Sequence, residues 1–249
     1  MKAKKSDGES ILLAEITKGK QKILFEKNLN TPHYSASLAK VFLAAEFLRL
    51  LHSGGVKNRE ILIKRRDLAG YGTDVLVDLA TSKNQIMMDA ITLMGLMIKY
   101  SCNSSAAILS KYFLPERRIL QKNAFDIWGL KNVTLVKKNN EVASDFSLSD
   151  FLTLFREIYS KKGSNWDFLR EKLKTSRNIY YLFDQLELDI LGTKSGTKKI
   201  GEIYWINDCG LFKVDRKIYF MGAMVSSNKI SKAVLRIREI GKELISKSQ

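Results

Sequence analysis

The chain has 249 residues, 45% of them hydrophobic and 27% charged, with only two prolines, a balance that describes one or two compact globular domains and excludes intrinsic disorder. Nowhere do roughly 18 apolar residues run together, so no helical membrane span is expected. The formal charge of +16 fits nucleic acid, an anionic envelope polymer or a generally lysine-rich surface; the lysines are spread along the whole chain with no aromatic-interleaved basic stripe, so the surface reading is favoured and no nucleic-acid partner is expected.

Met1 to Lys5 is basic like the start of a secretion signal, but Ser6 to Ser10 is polar where the apolar core of such a signal should follow. That leaves a cytoplasmic chain or one trimmed of its leader. Cys102 and Cys209 are too few for a disulfide scaffold and lack the clustering of a zinc site, so no metal is expected.

Ser10 to Ile16 and Lys22 to Glu26 are short β-prone runs around Thr17-Lys18-Gly19-Lys20, a hairpin that opens the chain. Leu38 to Leu51 is apolar almost all round, interrupted only by Lys40, Glu46 and Arg49 and closed by Gly54-Gly55, which predicts a buried helix with a glycine cap. Helices are also predicted over Met87 to Tyr100, Ser104 to Phe113 and Leu148 to Tyr159, the last entered through Ser147 with Asp150 as an acidic capping-box partner. From Tyr204 the period changes: Tyr204 to Asn207, Gly210 to Val214 and Ile218 to Ser226 read as an antiparallel meander turning at Asp215-Arg216-Lys217, before an amphipathic helix over Ile230 to Ile245. Strands at both ends and helices between them imply an α+β fold, with one antiparallel sheet built from the two termini and a helical domain inserted.

Three motifs lie in this frame: Ser37-Leu38-Ala39-Lys40, Ser101-Cys102-Asn103 and Lys194-Ser195-Gly196-Thr197. Singly they are weak, because Ser-x-x-Lys recurs at Ser195 and Ser226, and Ser-x-Asn at Ser82, Ser176 and Ser226. Ser37 falls on the first turn of the buried helix, where Lys40, three residues on, shares its face. Burial there disfavours the ammonium and suits Lys40 to act as a base toward the hydroxyl. The alternative is a Ser37 that caps the helix and a Lys40 that reaches to solvent. Ser101-Cys102-Asn103 follows an apolar helix, where a hydroxyl can relay a proton and an amide can bond both Lys40 and a substrate carbonyl; equally, Ser101 or Asn103 could cap the next helix. In Lys194-Ser195-Gly196-Thr197 the lysine and two hydroxyls suit a carboxylate and the glycine a close backbone approach, with a plain lysine-flanked turn as the alternative.

The ordered trio resembles that of the penicillin-recognising serine enzymes, and within them most closely the class A β-lactamases. Tyr34-Ser35-Ala36, the stretch Gly70 to Leu76 and the stretch Ile91 to Ala106 resemble that family in order and spacing. The resemblance implies an α/β domain with a five-stranded antiparallel sheet (residues 1–32 and 192–249), an inserted all-α domain (residues 33–191) and an active site in the cleft between them. It implies Ser37 as nucleophile, Lys40 as its activator and Ser101 as proton carrier to the leaving nitrogen. Asn103, Lys194, Ser195, Gly196 and Thr197 would bind substrate, Tyr71 would match an aromatic residue at the pocket rim, and the N–H groups of Ser37 and Thr197 would form the oxyanion hole. No cofactor is implied. The expected ligands are a β-lactam or a D-alanyl-D-alanine peptide, the expected location is periplasmic or secreted, and a monomer is expected.

One departure limits the likeness. Class A enzymes clear the acyl-enzyme with a water activated by the glutamate of a Glu-x-x-Leu-Asn loop. None of the glutamates between Ser101 and Lys194 (Glu116, Glu141, Glu157, Glu171 and Glu187) has asparagine four residues on. Glu141 is the one acidic residue near the expected place, either as a replacement base or as a solvated loop charge. The segment Gly129 to Ser147 resembles D-alanyl-D-alanine carboxypeptidases at least as well, so slow deacylation, or peptidase activity, is expected; a catalytically weak binding relative that kept the fold is the further alternative, against which the intact trio argues.

Overall fold

A computed structural model describes residues 8–17, 20–68, 74–113, 122–138, 141–176, 181–184 and 186–247. In chain order, β1 (Glu9–Thr17) and β2 (Lys20–Lys27) form a hairpin. The short strand β3 (His33–Tyr34) leads through a 3-10 turn, Ala36–Leu38, into α1 (Ala39–His52). Then come β4 (Glu60–Lys64), α2 (Val75–Lys83), β5 (Gln85–Asp89), α3 (Ala90–Lys99), α4 (Asn103–Phe113), α5 (Lys122–Ile127), β6 (Thr134–Lys138) and β7 (Glu141–Phe146). Helices α6 (Leu148–Ser160) and α7 (Ser164–Lys174) precede β8 (Asp189–Ile200), β9 (Ile203–Val214), β10 (Lys217–Ser227) and α8 (Ile230–Ile245).

Five strands make one sheet in the order β2-β1-β10-β9-β8, every pair antiparallel, so the expected α+β fold with a sheet drawn from both ends of the chain is present. Both faces of the sheet are buried. Leu12, Ala14, Leu211, Phe220 and Met224 join one core with α1 and α6, whereas Ile11, Leu13, Phe212, Tyr219 and Met221 join a second core under Ala233, Ile237, Ile240 and Leu244 of α8. Strand alternation deals successive residues to opposite faces, so the central strands carry near-continuous apolar runs.

α1 is the central helix that its sequence predicts: Val41, Phe42, Phe47 and Leu48 are essentially inaccessible to solvent. Its glycine end is present, with Gly54 at φ +74° and the Gly55 N–H donating to the Leu50 carbonyl at 2.8 Å. Glu46, buried on the same helix, is offset by Arg49 at 2.7 Å and accepts the Trp128 indole N–H at 2.8 Å. The predicted capping box of α6 also forms, Ser147 Oγ accepting from the Asp150 N–H and Asp150 Oδ2 from the Ser147 N–H.

Four expectations are corrected. The helix predicted from Met87 begins at Ala90, because Gln85–Asp89 pairs with β4 and Asp89 then caps α3 through the Thr92 N–H. Tyr204 to Asn207 and Gly210 to Val214 are parts of one strand, which Gly210 does not break because a Cβ there would overlap Gly192 and Thr193 of the neighbouring strand. Lys194 to Thr197 is strand, not turn. The segment 33–191, expected to be all-helical, also holds the β4/β5 pair and a small β3-β7-β6 sheet, and β8 begins at Asp189, ahead of the expected boundary.

Candidate active site

The approach to Ser37 is fixed from several sides. Asn207 of β9 donates its amide N–H to the Tyr34 carbonyl at 2.8 Å, and the buried Ser35 hydroxyl accepts the Phe146 N–H of β7 at 2.9 Å. The chain turns at Ala36, held at φ +48°, and the Leu38 N–H closes the turn on the Ser35 carbonyl at 3.0 Å. Ser37 therefore sits on the 3-10 turn before α1 rather than inside its first turn. Gly196 of β8 lies directly against this turn: a Cβ there would be 2.7 Å from Ser37 N, 2.9 Å from Ser35 O and 3.0 Å from Leu38 N. The glycine thus serves the close approach of strand and serine turn, whereas the sequence suggested an approach of substrate.

Lys40 is 8% exposed and turns its ammonium to the α3–α4 connection. It donates to the Ser101 carbonyl at 2.5 Å, to Asn103 Oδ1 at 2.6 Å and to Ser101 Oγ at 3.3 Å. The reading of Lys40 as a solvent-reaching surface residue is thereby excluded. Ser37 Oγ makes no hydrogen bond among the described residues, so Lys40 reaches the second motif and not the serine three residues before it. Ser101 is held at φ +55°, a conformation disfavoured for a residue with a side chain, at a cost of roughly 1 kcal/mol or more. From that position its hydroxyl also accepts a hydrogen bond from Lys194 Nζ at 3.0 Å. Lys194 is wholly buried on β8 and donates as well to the Ser195 carbonyl at 3.1 Å.

Two lysines therefore converge on one hydroxyl, and all three motifs meet. Burial pushes Lys40 down to about 8, with Cys102 and Asp74 acting in the opposite sense. Lys194 goes down to about 7, by burial first and then by the nearby Lys40 charge, against which Asp208 pulls upward. Together these groups can hold a neutral amine beside a hydroxyl at neutral pH, with a cation near the same hydroxyl for an anionic ligand.

Several supporting residues carry no motif. Asp74 caps α2 by accepting the Val77 N–H at 3.1 Å and takes the Ser104 N–H and Oγ–H at 2.9 and 2.7 Å. It thereby serves the N-terminus of α4, so neither Ser101 nor Asn103 is needed as that helix's cap. Asp208 of β9 lies fully buried in register with Ser195 and accepts the consecutive N–H groups of Tyr181 and Leu182 at 2.9 and 3.0 Å. Burial raises its carboxyl to about 7. Tyr181 in turn places its hydroxyl 3.1 Å from Thr197 Oγ1. The Gly70-to-Leu76 stretch pointed toward Asp74, whereas nothing in the local pattern around Asp208 or Tyr181 marks them.

Tyr71 lies outside the described residues. Glu141 stands at the turn end of the β6/β7 hairpin, opposite Lys138, four residues from the Asp145 that pairs with Tyr34. Four residues of strand are about 13 Å, which is the separation of Glu141 from Asp145 along β7. The acidic residue beside the segment leading to Ser37 is Asp145, whose carboxyl burial pushes upward and whose buried Oδ1 makes no hydrogen bond among the described residues. Among the described residues no three His, Cys, Asp or Glu side chains gather as a metal site, and no helix is long and apolar enough to cross a membrane.

A sequence model of the β-lactamase enzyme family matches residues 2–247. The chain belongs to that family. As a β-lactamase-family protein it shares its fold with a class A β-lactamase from Bacteroides cellulosilyticus (17% identity, TM-score 0.79, 98% of this chain and 93% of the other). It also matches the TLA-1 extended-spectrum β-lactamase (16% identity, TM-score 0.82, 98% and 94%) and PBP-A (17% identity, TM-score 0.76, 96% and 89%). No curated protein sequence matches the chain. The family and these folds place it among the penicillin-recognising serine enzymes, a hydrolase family.

Proposed function

We propose that this β-lactamase-family protein forms an acyl-enzyme through Ser37. The observation that carries the reading is the Ser101 hydroxyl, which accepts hydrogen bonds from Lys40 at 3.3 Å and Lys194 at 3.0 Å, while Gly196 packs against the Ser37 turn. With both lysines donating to its oxygen, Ser101 keeps its own hydrogen free for a leaving nitrogen. Ser37 Oγ attacks the amide carbonyl carbon as its proton passes to neutral Lys40. The N–H groups of Ser37 and Thr197 receive the oxyanion. Collapse of the tetrahedral intermediate breaks the carbon–nitrogen bond, and Ser101 delivers a proton to the nitrogen, replenished from Lys40. Lys194, Ser195 and Thr197 hold the substrate carboxylate, and Asn103 bonds a substrate carbonyl.

The expected substrate is a β-lactam, met outside the cytoplasm by a monomer, with slow deacylation because no Glu-x-x-Leu-Asn stands between Ser101 and Lys194. Loss of a general base costs about 10²- to 10⁴-fold in the step it serves. The same loss favours a second reading, a D-alanyl-D-alanine peptidase for which a penicillin is a mimic, and the fold shared with PBP-A fits it. Intact mass spectrometry after exposure to benzylpenicillin, beside a chromogenic cephalosporin assay, separates them. A lasting adduct on Ser37 without turnover supports the peptidase, steady turnover supports the β-lactamase, and wild type behaving like Ser37→Ala in both assays overturns both.

A further inference from the structure

Thr197 is exposed on the edge strand β8, yet its hydroxyl is not free: Tyr181 OH lies 3.1 Å away. Two hydroxyls joined in this way use one hydrogen between them and leave one for a ligand. When Tyr181 donates, Thr197 presents its O–H outward; when Thr197 donates, Tyr181 presents its own. A ligand group that only accepts hydrogen bonds, such as a carboxylate, satisfies either arrangement.

Tyr181 is well placed to hold this pairing. The residue is 7% exposed and belongs to the core that also contains Ile206, the cross-strand neighbour of Thr197. Its N–H and that of Leu182 are both taken by Asp208. The Leu182 carbonyl packs so closely on α8 that a Cβ at Gly241 would overlap it. A phenol fixed at ring, backbone and hydroxyl loses little freedom when a ligand arrives, and Ser195, two residues from Thr197, presents its hydroxyl on the same strand face.

We infer that Tyr181, held in place by Asp208, is a positioning residue that orients the Thr197 hydroxyl toward the substrate carboxylate. This rests on the acyl-enzyme reading. It assigns to a neutral tyrosine the task of aiming a carboxylate dock whose charge comes from Lys194, and it makes recognition of the acid over its ester a property of the Tyr181–Thr197 pair.

The concentration dependence of acylation by benzylpenicillin and by its methyl ester, followed by intact mass, tests this in wild type, Tyr181→Phe, Thr197→Val and the double variant. Tyr181→Phe should raise the apparent dissociation constant for the acid about fivefold, the scale of one net hydrogen bond. The limiting acylation rate should stay within about twofold, as should both constants for the ester. The double variant should be no weaker than Thr197→Val, and Thr197→Ser should retain the preference for the acid. Equal losses for acid and ester in Tyr181→Phe, or additive losses in the double variant, would overturn the inference while the wild-type adduct leaves the acyl-enzyme reading standing. Absence of any wild-type adduct on Ser37 overturns that reading and this inference with it.

Discussion

At the scale of single residues, the proposed chemistry depends on which lysine is charged. Lys40 is pushed down to about 8 and Lys194 to about 7, burial leading in both, and their shared contact with Ser101 makes the protons leave the pair in two steps. Below about pH 7 both amines are protonated and no base faces the nucleophile turn. In the free protein Lys194, the lower of the two, gives up its proton first; an incoming carboxylate beside it moves the remaining cation from Lys40 to Lys194, which leaves Lys40 neutral. Acylation by benzylpenicillin should therefore rise through about pH 7 and decline above about pH 8, whereas its methyl ester, with no carboxylate to hold the cation on Lys194, should rise only through about pH 8 and show no decline. Rapid-quench mass spectrometry across pH 5.5 to 9.5, roughly a unit and a half either side of those values, checks both limbs. Gly196 sets a second residue-scale limit, because the atoms that a Cβ would meet there, at 2.7 to 3.0 Å, are backbone and cannot rotate aside. Gly196→Ala should cost about 1–3 kcal/mol of stability by overpacking and lower acylation at least 100-fold by displacing the Ser37 turn. Thermal unfolding beside the acylation assay reads both effects, and an alanine variant that acylates like wild type would show that the strand need not touch the serine turn.

At the scale of elements, Asp74 ties α2 to α4 and so sets the frame behind Ser101-Cys102-Asn103. Burial pushes its carboxyl up, but the bonds from Ser104 and Val77 together prevail and hold it below the ordinary value. A carboxyl lowered on folding contributes stability above its unfolded pKa and loses it as pH falls through the folded value. Asp74→Ala should then cost about 2–4 kcal/mol at pH 7, for the loss of one cap and of the partners of two Ser104 donors. Asp74→Asn should cost less, and its deficit should shrink toward pH 3 in urea unfolding, while a deficit constant with pH would exclude the charge as the cause. α1 and the α6 capping box were legible in the sequence because each is written locally, in an apolar helix with a glycine end and in Ser147 with Asp150. β8 was not: Lys194 to Thr197 is a polar run that becomes strand only because β9 lies beside it. Asp208 and Tyr181 escaped for the same reason, since their roles come from pairings 27 and 16 residues apart in the chain. The helix predicted from Met87 started too early because the apolar residues of β5 continue into α3 without a change of composition at Asp89.

At the scale of the whole molecule, a single sheet separates two cores, and the expected site lies where its edge strand β8 meets the serine turn. The sheet is what makes the three motifs one site, since Lys194 reaches Ser101 across 93 residues of chain. Around this site the chain carries a formal charge of +16. Spread over the surface, that charge provides no particular partner, but it does set a positive field through which an anionic substrate approaches. The field reaches about 30 Å at 0.01 M salt and about 10 Å at 0.1 M. Raising salt over that interval should lower the second-order acylation constant for benzylpenicillin about two- to threefold, through the encounter rate and not the limiting rate. The neutral methyl ester should be unaffected. An equal salt response of acid and ester would place the effect in the protein itself, in its surface ion pairs or its stability, and would remove long-range attraction from the account of how substrate is captured.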